Sequence, residues 1–96
     1  MSPQNKKKLD KIRIKLDRLD NELLSLIKKR TYLVEEVLKL KEFKKEIIDK
    51  KRISFILKKI SKKSKKYKID PRITDRIWKN MIWSYINYEK RNFKKK

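Results

Sequence analysis

The sequence predicts an all-α protein that consists of one long helix and two shorter helices. Apolar residues recur every seven positions over the first 40 residues, in two columns that correspond to a and d of a heptad. Two later segments repeat apolar residues at helical spacing, and we predict no strand. We therefore expect three helices in a single domain over residues 1–96, with frayed basic ends at 1–8 and 94–96.

The longest element is a helix predicted from about Leu9 to Lys41. At about 1.5 Å per residue, such a helix is roughly 50 Å long. The shorter segments that follow cannot cover an apolar seam of that length, so we expect an intertwined homodimer in which two chains share their long helices. The two columns of the seam are Leu9, Leu16, Leu23, Arg30 and Val37, and Ile12, Leu19, Leu26, Leu33 and Leu40.

A second helix is predicted after the segment "EFKKE", which interrupts the heptad pattern. Asp49 is the expected N-cap, because its side-chain oxygen can accept a hydrogen bond from a backbone N–H of the first turn. The run "SKKSKKYK" that follows is predicted to be a polar connection. The apolar face of this second helix consists of Ile53, Ile56, Leu57 and Ile60, with Phe55 beside it.

The third helix has a clear start signal in "IDPRITDR". Asp70 can cap it, and Pro71 suits the first helical position, where its missing N–H costs nothing. One face of this helix combines large apolar or aromatic residues with an acid, at spacings of i, i+4, i+7 and i+11. These residues are Trp78, Ile82, Tyr85 and Glu89.

The composition excludes several classes of chemistry, because the chain has no glycine, histidine or cysteine. Without glycine there is no phosphate-binding loop of the usual kind. Without histidine and cysteine there is no zinc site, no Ser-His-Asp or Cys-His triad and no disulfide. We expect neither a metal nor a cofactor, so any catalysis must use charged groups, hydroxyls and shape.

The chain has 32 Lys and Arg against 12 Asp and Glu, a net charge of +20. Such a charge attracts polyanions, so a basic helical nucleic-acid-binding module is an alternative from another functional class. Because lysines are scattered along every segment, we interpret the charge as a compositional bias and do not expect a nucleic-acid partner. No apolar run approaches about 20 residues and no signal-peptide core is visible, so we expect a cytoplasmic protein without a membrane partner.

Two charged residues break the apolar pattern, Arg30 in the heptad seam and Glu89 on the third helix. A buried guanidinium needs an anionic partner, since leaving it unpaired costs several kcal/mol. Lys41 follows Arg30 by close to three turns and faces nearly the same side. Arg13 lies about 100° around the helix, so it would serve the pocket of the partner chain. Arg52 lies one turn after Asp49 on the second helix.

These cations favour a site for a small dianion, with Glu89 opposite them. Each also has a structural alternative. Arg30 could set the register of a dimer seam. Arg13 and Lys41 could be solvated, and Arg52 could pair with Asp49.

The stretches "RIKLDRLDNELLSLIKKRTYLVEEVLKLK", "DKKR" and "DPRITDRIWKNMIWSYINYE" together resemble the all-helical class of chorismate mutases, over about Leu9 to Phe93. The resemblance matches Arg13 ahead of an L-D pair, Arg30 to the Arg of the family's "L-L-x-x-R", where this sequence reads "LIKKR", and Lys41 in "V-x-x-x-K". It also matches Asp-x-x-Arg at Asp49 and Arg52, and the Gln or Glu that closes the motif at Glu89.

The resemblance implies an intertwined homodimer that rearranges chorismate to prephenate, on the route to phenylalanine and tyrosine. The reaction would need no cofactor and no covalent intermediate. Each of two sites would combine residues of one chain with Arg13 of the other. The implied catalytic residues are Arg30, Lys41 and Glu89, and the implied substrate-binding residues are Arg13, Arg30, Lys41, Asp49, Arg52, Tyr85 and Glu89.

The sequence departs from the family pattern at two of these positions. Ile53 stands where mutases usually have a Glu that binds the substrate hydroxyl, and Tyr85 stands where a small hydroxyl residue is common. An aliphatic residue at 53 resembles the related isochorismate pyruvate lyases, which share the fold and the cations. At position 89 the lyases resemble the form of the motif with Gln, whereas the Glu of this sequence resembles a variation found among mutases. Mutase is therefore the favoured prediction and lyase the alternative.

Overall fold

The computed structural model describes residues 1–95, and within them it confirms an all-α protein with three α-helices and no strand. These are α1 (Pro3–Leu40), α2 (Lys50–Lys66) and α3 (Pro71–Asn92), and a short 3-10 helix spans Lys44–Ile47. None of the helices in this part of the chain has an apolar stretch that would reach across a bilayer. The chain divides into two compact units, residues 1–33 and the residues from Val34 onward, so that α1 belongs to both.

The first unit is a single helical segment that buries none of its residues. The seam predicted from the heptad pattern is present on it, and apart from the half-buried Leu9 its leucines and isoleucines are about half exposed or more. The exposed seam residues of this unit are Ile12, Leu16, Leu19, Leu23, Leu26 and Leu33. An aliphatic seam of this length in water is costly, at about 25 cal/mol for each Å² of apolar surface.

The second unit has its own apolar core, which is formed by the 3-10 helix and α3. Ile47, Ile82 and Ile86 are its buried members. Three of the four residues of the predicted apolar face of α2 pack against them, whereas Phe55 beside that face is exposed. Residues from the end of α1, from between the 3-10 helix and α2, and from beyond α3 also pack there. The partly buried side chains around this core are Leu38, Ile48, Ile53, Ile56, Leu57 and Phe93.

The chain turns after α1 without glycine or proline because Glu46 satisfies the exposed backbone there. Its Oε1 accepts hydrogen bonds from the N–H of Phe43, at 2.8 Å, and from the N–H of Glu42, at 3.2 Å. A side-chain oxygen in this role replaces helical hydrogen-bond partners at the start of the short 3-10 helix. The turn delivers Ile47 into the core.

The predicted caps of the two shorter helices are confirmed. The Asp49 carboxylate accepts a hydrogen bond from the N–H of Arg52 at 2.9 Å, and Asp70 accepts one from the N–H of Arg72 at 3.0 Å. Pro71 occupies the first turn of α3. The Arg72 guanidinium also donates hydrogen bonds to the Asp70 carboxylate. These side-chain bonds, and the bond from the Arg72 backbone N–H, lower the pKa of the Asp70 carboxyl.

The predicted start of α1 at Leu9 was wrong, because the helix begins at Pro3 and the segment 3–8 is helical rather than frayed. Ser2 caps it, since its Oγ accepts a hydrogen bond from the N–H of Asn5 at 3.1 Å, and Pro3 occupies the first helical position. At the other end, residues 93–95 have no regular secondary structure, and Lys96 of the predicted frayed end lies outside the described residues.

The predicted polar connection at 61–68 was also wrong, because α2 continues to Lys66. Ser64 continues the apolar face of α2 and is buried, where its hydroxyl lies 2.7 Å from the hydroxyl of Thr74 on α3. The helix ends in a Schellman motif, in which the N–H of Ile69 donates to the carbonyl of Ser64 at 2.8 Å. Lys68 adopts the left-handed conformation (φ 58°) that glycine usually supplies, in a chain that has none.

Candidate active site

Lys41 and Glu89 form the central pair of the candidate site. The Lys41 Nζ lies 3.0 Å from the Glu89 Oε1, and the two side chains are only 17% and 8% exposed. Lys41 follows the last residue of α1, where its N–H donates to the carbonyl of Leu38 at 3.1 Å, and Glu89 lies in the last part of α3. The structure thus brings together two predicted catalytic residues that are far apart in the sequence.

Burial makes this pair more than a surface salt bridge. Removing a charge from water is expensive, so each partner of a buried ion pair depends on the other for compensation. An ammonium has three donors and a carboxylate only accepts, so the pair presents both kinds of group at one place. An anionic ligand that reached Lys41 would compete with Glu89 for its hydrogen bonds.

Asp49 and Arg52 lie together at the start of α2, but their side chains do not form the i, i+3 pair that was the structural alternative for Arg52. Asp49 accepts from the backbone N–H of Arg52, and the Arg52 guanidinium lies 5.4 Å from the centre of the Phe55 ring. Arg52 is exposed. Its guanidinium therefore keeps its donors on the surface, where they are accessible to an anion.

Arg13 and Arg30 both lie on α1 within residues 1–33, and they differ in exposure. Arg13 is exposed, like most residues of this segment, and Arg30 is half-buried. Within residues 1–33, the other half-buried residues are Leu9 and Thr31. The seam position that carries Arg30 is therefore one of the most covered places of its unit.

The family model for chorismate mutase type II matches residues 12–90. The chain belongs to the chorismate mutase type II family. The match includes all seven predicted site residues, from Arg13 to Glu89. No curated protein and no solved structure matches this chain.

The position of this mutase-family chain where a hydroxyl-binding Glu was expected has a structural role. Ile53 is half-buried and packs against the core of Ile47, Ile82 and Ile86. Tyr85 is also half-buried, one turn before Glu89 on α3. No cluster of three or more His, Cys, Asp or Glu residues that could hold a metal occurs within residues 1–95.

Sequence reasoning missed a second link between the end of α1 and α3. The Tyr88 hydroxyl donates to the Glu35 Oε1 at 2.6 Å. This hydrogen bond raises the pKa of Tyr88, and burial and the negative charge of Glu35 add to the effect, whereas Arg91 opposes it. Tyr88 precedes Glu89 directly, so the link holds α3 beside α1 near the Lys41–Glu89 pair. The sequence signal for this link was Tyr88 itself, a tyrosine directly before Glu89 of the motif.

Proposed function

We propose that this protein is a chorismate mutase, which rearranges chorismate to prephenate on the route to phenylalanine and tyrosine. The observation that carries the proposal is the Lys41–Glu89 pair, a buried cation and acid held 3.0 Å apart in a chain of the chorismate mutase type II family. The substrate is a dicarboxylate with an ether bond that breaks during the reaction. A site with cations and one acid fits both features.

The reaction needs positioning and charge stabilisation rather than a nucleophile. The substrate must be held in a reactive chair, and bidentate guanidinium contacts to its two carboxylates would do this. We assign that role to Arg30 and Arg52, and to Arg13 from the partner chain. As the ether bond breaks, negative charge develops on its oxygen, and hydrogen-bond donors placed there lower the barrier.

Lys41 and Glu89 are assigned to that ether oxygen. Lys41 can donate one hydrogen bond to the substrate and keep another for Glu89, because an ammonium has three donors. Glu89 can help only when it carries a proton, since a carboxylate repels the developing charge. Asp49 and Tyr85 complete the proposed substrate-binding residues. Asp49 also caps α2 and thereby supports Arg52.

The proposed active form is a homodimer in which α1 of each chain covers the seam of the other. The support is the aliphatic seam within residues 1–33, which has six exposed residues and no buried one. Association would remove this surface from water, and hydrophobic burial is the main favourable term in such association. The exposed Arg13 side chain on the same helix would then reach the site of the partner.

The deciding experiment is incubation of the purified protein with chorismate and, separately, with isochorismate, followed by product analysis. Prephenate from chorismate, lost in the Lys41→Ala variant, supports the proposal. Pyruvate and salicylate from isochorismate, with no prephenate, would assign the related lyase activity instead. Lys39→Ala is the matched control, because Lys39 is exposed and pairs with Glu36 on the surface.

A further inference from the structure

The positive charge of this protein is not evenly distributed among its helices. α2 contains nine Lys and Arg residues and no acid within Lys50–Lys66, and Lys68 extends the run. In contrast, α1 intersperses its cations with six acids, and α3 contains Asp75 and Glu89. A general lysine bias would enrich all three helices, but it does not account for the absence of acids from α2 alone.

The cations of α2 lie opposite its buried side. At about 100° per residue, six lysines fall within an arc of roughly 140°, together with Arg52 of the proposed mutase site, and the side chains that pack on the core fall on the other side. All six are exposed. We call this surface the basic face of α2, and it consists of Lys51, Lys58, Lys59, Lys62, Lys63 and Lys66.

The charges of the basic face are uncompensated within the part of the chain that the structure describes. The salt bridges formed in residues 1–95 involve Lys39, Lys41, Arg72 and Lys79, and none involves a lysine of α2. Six like charges over about 22 Å of helix repel one another and concentrate counterions. A polyanion that replaced those counterions would gain free energy from their release.

An aromatic residue lies within the basic face. Phe55 falls near the middle of the arc and is 54% exposed. The Lys59 Nζ lies 5.8 Å from the centre of its ring, and the Arg52 guanidinium lies 5.4 Å from it. A cationic surface with an exposed aromatic side chain is the combination by which proteins bind single-stranded nucleic acids, since phosphates contact the cations and a base stacks on the ring.

Two other anionic partners fit this surface less well. A small dianion needs cations that converge on one point, but these six are spread along the helix. An anionic membrane binds amphipathic helices by taking up their apolar face. The apolar face of α2 is already packed against the core through Ile53, Ile56 and Leu57.

We propose that the basic face of α2 binds single-stranded nucleic acid through its phosphates, without sequence readout, as a function separate from the mutase site. The lysines of the basic face are not among the proposed substrate-binding residues. The two activities can therefore be tested independently on the same preparation.

The test measures fluorescence anisotropy of a labelled oligothymidylate of about 20 nucleotides with the full chain at several salt concentrations. In the basic-face variant, Lys58, Lys59, Lys62 and Lys66 are each replaced with Gln. In the matched control, Lys6, Lys7, Lys8 and Lys11 of α1 are each replaced with Gln, so that both variants lose the same charge. Circular dichroism verifies that both variants remain helical.

We expect log K to fall with log salt with a slope near about −4, roughly 0.7 for each of six lysines. The basic-face variant should reduce that slope to about −1.5 and weaken binding more than tenfold at about 0.1 M salt, whereas the α1 control keeps most of both. Phe55→Ala should weaken binding about tenfold with little change in slope, because stacking is lost and phosphate contacts remain. Mutase activity should not change in the basic-face variant.

Several results would overturn the proposal. Equal losses in the two variants would show that binding follows net charge and not the basic face. Stronger binding to vesicles with about 30% phosphatidylserine than to the oligonucleotide would assign the face to membranes. A basic-face variant that is helical but inactive as a mutase would show that the face belongs to the catalytic site.

Discussion

The two units of the chain differ in how much of their apolar surface they bury. Residues 1–33 bury none of their seam, whereas the residues from Val34 onward enclose Ile47, Ile82 and Ile86. The second unit also has internal links between distant segments, at Lys41–Glu89 and Tyr88–Glu35. The second unit thus has a core within one chain, and the exposed seam of the first unit supports the proposal that a partner chain covers it.

The largest effect is expected from a charge in the seam of the first unit. Leu19→Glu should abolish the dimer and reduce mutase activity more than about a hundredfold, because a carboxylate in an apolar interface costs several kcal/mol. Sedimentation velocity and the chorismate assay measure both effects. Asn21→Glu adds the same charge to α1 outside the two heptad columns and should change neither. A Leu19→Glu variant that stays dimeric and active would contradict the shared-seam proposal.

Arg30 tests whether the first unit supplies a catalytic side chain as well as an interface. Arg30→Ala should remove nearly all mutase activity, because the guanidinium clamp on the substrate carboxylate is lost. The dimer should stay intact, because the substitution removes no aliphatic side chain from the seam. An inactive variant that is also monomeric or unfolded would instead assign Arg30 a structural role.

Subunit exchange sharpens this test. Inactive Arg30→Ala chains mixed with inactive Arg13→Ala chains should regain part of the activity, because one site of the heterodimer receives both arginines. Mass spectrometry checks that the heterodimer has formed. A confirmed heterodimer without activity would mean that each chain builds its own site.

In the second unit, Ile53→Glu should lower the free energy of unfolding by about 3 kcal/mol, since it places a charge against the core. Chemical denaturation measures the change, and Phe55→Glu on the exposed side of α2 should cost less than about 1 kcal/mol. A stable Ile53→Glu variant with a lower KM for chorismate would show that position 53 can act as the hydroxyl-binding site of the family.

The smallest effect concerns the end of α2. Lys68→Gly should raise the free energy of unfolding by about 0.5–1 kcal/mol. The left-handed conformation costs a non-glycine residue about 1–2 kcal/mol, and the greater conformational freedom of glycine in the unfolded chain offsets part of the gain. In a domain of this size the melting temperature should rise by about 3–6 °C. Lys62→Gly, in the helical part of α2, should lower it by a similar amount. A lower melting temperature of the Lys68→Gly variant would contradict the idea that the left-handed conformation of Lys68 is strained.

The helices and most of their caps could be predicted because local interactions encode them. Asp49, Asp70 and Pro71 act on backbone groups within three residues, and the heptad seam follows from spacing alone. Two helix ends were predicted wrongly, the start of α1 and the end of α2. At the start of α1, the basic run after Ser2 and Pro3 obscured their start signal. At the end of α2, Ser64 lies on the packed face of the helix, but as a polar residue it did not extend the apolar pattern.

By itself, the sequence determined the helical class, the order of the charged residues and the exposed seam, since these depend on periodicity and neighbours. Only the tertiary structure decided that Lys41 meets Glu89 and Tyr88 meets Glu35, because these pairs join α3 to the end of α1 across about half of the chain. It also decided that the α2 lysines form one uncompensated face. Which groups meet depends on how α3 packs on its core, and no local interaction specifies that packing.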